Sequence, residues 1–397
     1  MRTIALAQRR TLVARRHHLL GDATTTEQVA RAVLALHATD PASVFLAVLA
    51  RSATTTIVDA LDAMYAERTL VRWMAMRRTL FVFPRDRVPV FQAAVSRPLA
   101  ATLRRRLTST IARNGTVPAI DGDPGAWIES VEAGVERAIR TLGTASGAQL
   151  SAAEPRLRTA ITPRAPSDLP MNVTSPLLVV MSTEGRLVRG GAVGTWTTRA
   201  HRWEPVDAWW PDGLPSLDTA GAQVEVARAW LTAFGPAPVA DLEWWTGWTK
   251  TAVRAALGAL PVLEVDLAGT AGVMLDEPVL HEELDRAATP DDPVATLLPC
   301  LDPTPMGWKD RGWLFGTDPD ALHDRNGNLG ATVWWDGEVV GGWGTAASGE
   351  VRTRVVVDRG RAAADAVERA AATLQQRIDG AVVTPAFRTP LERALTA

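Results

Sequence analysis

His37, Thr39 and Asp40 form a short polar run, HATD, between apolar segments and directly ahead of Pro41. An imidazole can accept a hydrogen bond from water and take its proton, and a threonine hydroxyl can hold that water. A nearby carboxylate can add basicity. The same residues also have an ordinary structural reading: a histidine at a helix C-terminus is favoured by the macrodipole, Thr39 can satisfy free carbonyls, and Asp40 can cap the next helix. Other reactive chemistry is sparse. Cys300 is the only cysteine, so neither an intrachain disulfide nor a thiolate metal cage can form, and it reads as a small buried hydrophobe. His17 with His18, and His281 with Glu282 and Glu283, lack zinc spacing, because adjacent helical residues point in different directions. The run from Asp324 starts like a calcium loop, but Leu329 and Trp335 stand where glycine and glutamate are required, so Asn326–Gly327 reads as a turn. No P-loop, dinucleotide-type glycine motif or GxSxG elbow is found. The expectation is chemistry with no metal and no cofactor.

The charge is unevenly spread. The 397 residues carry a net charge of −2, yet residues 1–110 hold 17 Arg and no Lys against 7 Asp plus Glu, a net +10 that leaves −12 for the remainder. A basic first quarter fits a module that meets a polyanion. The apolar share of 47% and charged share of 22% are those of a folded globular protein. No apolar stretch approaches a membrane span and no signal-peptide core precedes Arg9 and Arg10, so a cytoplasmic protein is expected.

The elements that must hold the polar run are legible from periodicity. Residues 5–20 read as an amphipathic helix ended by Gly21. Thr24 and Glu27 have capping-box spacing and open a helix that places Val29, Val33, Leu36 and His37 in one sector and stops near Ala38. Asp40 and Pro41 supply an N-cap and a first-turn proline for a third helix, and a fourth runs from Thr56 to Ala66. Leu70–Met76 and Thr79–Phe83 read as a hairpin turning at Arg77 and Arg78. Helices followed by a hairpin make a winged helix, and the pattern recurs over residues 146–210 and 218–275. Residues 115–147 begin as a linker rich in Pro, Gly and Asp. Beyond an acidic loop the chain turns to strand signals, with an Asp336–Gly337 turn, consistent with a small sheet or barrel, and a closing helix over 359–379.

Four segments, LVRWMAMRRTLFVFP, DLEWWTGW, LLPCLDPTPMGWKDR and TVWWDGEVVGGW, in this order, resemble the signature segments of the winged-helix AlkZ/YcaQ family of bacterial DNA glycosylases. The resemblance implies an α+β protein of three tandem winged helices and a C-terminal β-barrel around a C-shaped basic channel. The corresponding units are residues 1–115, 116–215 (with a linker helix), 216–290 and 291–397. The family's catalytic motif is Gln, an apolar residue, then Gln or Asp, and His37, Ala38 and Thr39 occupy its place. The usual TLH after the first wing is Thr79–Leu80–Phe81 here. By this resemblance His37 and Thr39 take the two polar roles, with Asp40 as a further source of basicity. Arg72, Arg77, Arg78, Lys309 and Arg311 become candidates for phosphate contacts, and Trp308 for contact with a base or sugar, although Trp308 taken alone reads as a core residue.

The expected function is a monomeric DNA glycosylase that hydrolyses the N-glycosidic bond of N-alkylated, bulky or crosslinked purines in double-stranded DNA, with no membrane partner. Such a protein would work at the bacterial nucleoid. The changed motif keeps a second function open, a non-catalytic winged-helix protein that binds or senses lesions. A third is an array that no longer meets DNA.

Overall fold

The strands Leu70–Ala75 and Thr79–Pro84 are almost wholly buried, which explains why they read as continuous apolar runs rather than alternating ones. They pair antiparallel from Leu70↔Pro84 to Ala75↔Thr79 and leave Met76, Arg77 and Arg78 as the turn. These features belong to a computed structural model that describes the chain except residues 166–168, 290 and 317–319. The hairpin does not stand alone. It is the centre of a five-stranded sheet ordered Leu36–His37, Thr79–Pro84, Leu70–Ala75, Leu187–Ala192, His201–Pro205. The hairpins of the first and second expected units therefore share one sheet, joined where Arg72 meets Arg189. The strand Arg2–Thr3 runs parallel to Val262–Asp266, so the N-terminus joins the third unit's sheet.

The segment that carries the polar run differs from expectation. The capping box forms one residue later, with Thr25 accepting from the Gln28 N–H and the Gln28 side chain returning to the cap. Its helix, Thr26–Ala32, ends well before Ala38. Leu34 takes a positive φ of 64°, and Leu36–His37 leaves as a strand opposite Val82 and Phe81. The 3.6-residue spacing of Val29, Val33, Leu36 and His37 fits a helix, but the open edge of Thr79–Pro84 offers backbone partners that the last of these residues take instead. Pro41–Arg51 is helical with Pro in the first turn, as expected. Asp40 sits at its N-cap position, but its carboxylate caps nothing and accepts the Ala386 N–H at 3.0 Å.

Two further cores complete the molecule. The helices Arg97–Asn114 and Pro124–Leu142 pack Leu107, Ile111, Ile128, Val131, Val135 and Ile139 against Leu177, Met181 and Leu187. At the C-terminal end, Ala295–Leu298, Thr332–Trp335, Glu338–Thr345 and Val351–Val355 form an antiparallel sheet. Its order is open among the described residues, so the barrel expected there is a four-stranded sheet instead. The helices Arg361–Arg377 and Pro390–Thr396 cover it, and so few strands do not close around a filled interior. Leu46 and Leu49 of Pro41–Arg51 enter its core beside Leu297, Val333 and Trp343. Asp336 and Gly337 make its hairpin turn with φ of 50° and 73°. No helix among the described residues is long and apolar enough to cross a membrane. The whole is a mixed α+β fold with several sheets.

Candidate nucleic-acid interface

His37 lies directly across from Phe81, their rings 5.2 Å apart at 69°. It keeps 8% of its surface, and of its two nitrogens Nδ1 is sealed off without a hydrogen-bond partner. Burial, reinforced by the positive charge of Arg77, pulls the imidazole down to about 3. At neutral pH His37 is thus an uncharged acceptor that can orient a water, and a weak base toward it.

Arg77 and Arg78 project from the hairpin turn, both exposed and both with left-handed backbone, at φ 53° and 60°. Two adjacent non-glycine residues in this region cost about 1–2 kcal/mol each, which the buried strands on either side sustain. The Arg77 guanidinium lies over the Trp244 ring, 4.0 Å from its centroid. Burial of its head against this ring and the neighbouring charge of Arg311 lower it to about 10, so it stays cationic at neutral pH. Arg311 is half-buried and donates to the Gly327 carbonyl at 3.3 Å and to Met306 Sδ at 3.2 Å. Lys309 is exposed, and its backbone N–H is held at 2.9 Å by Asp241 Oδ1, which also takes the Asp310 N–H at 3.2 Å. His37, Arg77, Arg311 and Lys309 thus belong to one region, built by the first hairpin, the helix Val239–Thr246 and the loop between the first two strands of the C-terminal sheet. A cleft of about 390 Å³ opens beside it, lined by Arg77, Arg78, Val95, Thr102, Trp248 and Thr249 among others.

The remaining expected residues are placed elsewhere. Thr39 is exposed two residues beyond His37. Asp40 is buried and points to Ala386 and to the Cys300 thiol at 3.6 Å, so it joins the C-terminal segment to the first unit rather than facing solvent. Arg72 does not join the region of His37. Its register with Val82 places it on the opposite face of the sheet from His37 and Phe81, and it keeps only 4% of its surface. Trp308 is fully buried, with its indole N–H given to the Phe234 carbonyl at 3.2 Å, which puts it beyond reach of a base.

Three residues were missed by sequence reasoning: Trp244, Asp241 and Arg9. The first two stand in DLEWWTGW, where a carboxylate inside an apolar helix was the available signal. Asp241 is buried, its Oδ2 has no hydrogen-bond partner among the described residues, and burial pushes its carboxyl up. Arg9 is buried over the Trp313 ring at 3.8 Å, and burial lowers its guanidinium to about 10.

The arrangement can bind a polyanion through Arg77, Arg78, Lys309 and Arg311 and present a neutral imidazole beside it. Residues 30–377 match the family described as DNA glycosylase AlkZ-like. The fold is similar to that of Streptomyces sahachiroi DNA glycosylase AlkZ, with a TM-score of 0.70 and 19% sequence identity over 96% of this chain and 99% of that one. No curated protein sequence matches the chain. With the family match spanning most of its length, the chain belongs to the AlkZ-like DNA glycosylase family.

Proposed function

We propose that this protein is a DNA glycosylase that releases N-alkylated purines, bulky and crosslinked ones included, from double-stranded DNA, acting as a monomer without metal or cofactor. The observation that carries this reading is the neutral His37 imidazole, without a hydrogen bond among the described residues and set beside the cation of Arg77, which in turn neighbours Arg311. An N7- or N3-alkylated purine is already a cationic leaving group. Its C1′–N bond breaks with the electron pair leaving on the base, and water adds to the oxocarbenium carbon and then loses a proton. Positioning and electrostatics suffice for such a step. His37 orients the water as an acceptor, Thr39 contributes a hydroxyl from the exposed side, and Arg77, Arg78, Lys309 and Arg311 contact phosphates. Asp40, the third candidate of the motif, acts through position, by fixing the C-terminal segment against the loop. In this reading residues 1–115, 116–215 and 216–290 are winged-helix units, and residues 291–397 close the array.

The test is base release from duplex DNA carrying N7-alkylguanine, with simple, bulky and crosslinked adducts, by the wild type and by His37→Ala and Thr39→Ala. Abasic sites formed by the wild type and lost in His37→Ala support the proposal. A second reading, a lesion-binding protein without catalysis, is favoured by the weak basicity of His37 and the exposure of Thr39. Salt-sensitive duplex binding with no base release from any adduct would establish that reading instead.

A further inference from the structure

On the face of the five-stranded sheet turned away from His37, Arg72 and Arg189 stand directly across from each other on neighbouring strands. Among the described residues, no hydrogen bond or ion pair reaches either guanidinium. Arg72 is more than nine-tenths buried, and the Nε of each arginine is sealed off without a partner. Two further polar groups in the same place are also unsatisfied: the Tyr65 hydroxyl, whose ring lies 5.8 Å from the Arg72 guanidinium carbon, and His201 Nε2. Trp203 forms the wall, 5.1 Å from the Arg189 head and 4.9 Å from the His201 ring.

Buried polar groups are normally paired, and a buried cation without a counterion is costlier still. Here two cations converge with no carboxylate bound to either among the described residues. The carboxylate of Glu204, close enough to act on the Tyr65 hydroxyl, is engaged with Arg68 at 3.1 Å and with the Trp209 indole at 2.9 Å, and makes no ion pair with Arg72 or Arg189 among the described residues. His201 Nδ1 lies 3.3 Å from the Arg199 carbonyl, so Nδ1 carries the hydrogen and Nε2 presents a lone pair.

We propose that Arg72, Arg189, Tyr65 and His201 form a phosphate-binding pocket, separate from the His37 region. Two guanidinium heads and a phenol donate to the phosphate oxygens, and where the ligand is a protonated monoester rather than a backbone phosphodiester, Nε2 also accepts the hydrogen of its hydroxyl. Burial and the neighbouring Arg72 charge lower Arg189 only to about 10, so the pocket stays cationic at neutral pH. Arg189 and His201 are half-buried and give the pocket its opening to solvent. The phosphate comes either from free phosphate monoesters or from the backbone of bound DNA.

The experiment measures thermal unfolding of the full chain with inorganic phosphate at about 10 mM against chloride at equal ionic strength. It also measures the salt dependence of duplex binding, for the wild type, Arg189→Gln and Tyr65→Phe. The expected result is a phosphate-specific rise in melting temperature that Arg189→Gln abolishes and Tyr65→Phe reduces. A salt slope that falls by about one in Arg189→Gln assigns the pocket to the DNA backbone, and an unchanged slope assigns it to free phosphate. No phosphate-specific rise in the wild type, together with a salt slope untouched by Arg189→Gln, would overturn the proposal. Tyr65→Phe removes one hydroxyl and guards against misfolding, and base release reports on the His37 reading independently.

Discussion

The family resemblance puts Gln at position 37 and His at position 81, and this chain has His and Phe. The register shows these two residues to be direct cross-strand neighbours, so an imidazole occupies the same small space from the other strand. His37→Ala should lower the rate of base release ~10²-fold or more while duplex affinity stays near the wild type. His37→Gln alone should also be slow, and His37→Gln with Phe81→His should recover activity, which single-turnover assays on one N7-alkylguanine substrate would measure. Equal activity of the single and double variants would separate the two positions. Arg78 makes the opposite kind of prediction. Glycine at this left-handed position relieves backbone strain, so Arg78→Gly should gain about 0.5–1 kcal/mol in urea unfolding. The same change should reduce the salt slope of duplex binding by about one, because it removes the phosphate contact proposed for Arg78.

At the scale of elements, the first unit and the C-terminal part are joined by a buried ion pair. Arg51, at the end of the helix Pro41–Arg51, donates to both carboxylate oxygens of Asp302 at 2.8 and 2.7 Å and to Thr304 Oγ1 at 2.7 Å, with both charged side chains fully enclosed. Thr304 Oγ1 in turn lies 2.9 Å from His17 Nδ1, so three distant segments meet in one network. Breaking the pair from one side leaves a buried charge, and Arg51→Met should cost about 3–5 kcal/mol in urea unfolding. Replacing both residues with apolar side chains of similar volume should cost much less. This geometry also fixes the end of the polar run relative to Lys309 and Arg311, since Pro41, which follows Asp40, begins the helix that Arg51 ends. Arg51→Met is therefore expected to weaken duplex binding as well.

For the whole molecule, three imidazoles are held below their ordinary value. Burial lowers His17 and His37 to about 3 and His201 to about 4, with neighbouring arginines adding to each. Between these values and about 6.5 the unfolded chain binds protons that the native protein refuses. Stability is therefore fully present above pH 6.5 and is lost as pH falls toward 4. The carboxylates of Asp86, Glu154 and Asp291, held down chiefly by hydrogen bonds from arginines, add a second loss only below the usual carboxylate range. Urea midpoints measured from pH 7.5 to 4.5 should hold level to about pH 6.5 and then decline, and a flat profile down to pH 4.5 would contradict the burial of these rings.

By itself the sequence determined the features set by neighbours along the chain. The hairpin after Leu70 was legible because its strands are apolar throughout and two arginines interrupt them, the Asp336–Gly337 turn because its residues accept positive φ, and the helix at Pro41 because proline suits a first turn. The family segments were legible as well. Tertiary structure alone decided what depends on residues far apart. Leu36 and His37 fit a helical period equally well, and only the free edge of Thr79–Pro84 makes them a strand. Arg72 reads as a surface charge until Arg189, more than a hundred positions later, pairs with its strand and encloses it. Asp40 reads as a cap until Ala386 supplies a better donor. Strand signals could not reveal whether the last sheet closes, because closure depends on strand number and tilt. Caps, turns and periods act over three or four residues and leave a local trace, whereas strand partners and buried ion pairs are chosen by packing once the chain has folded.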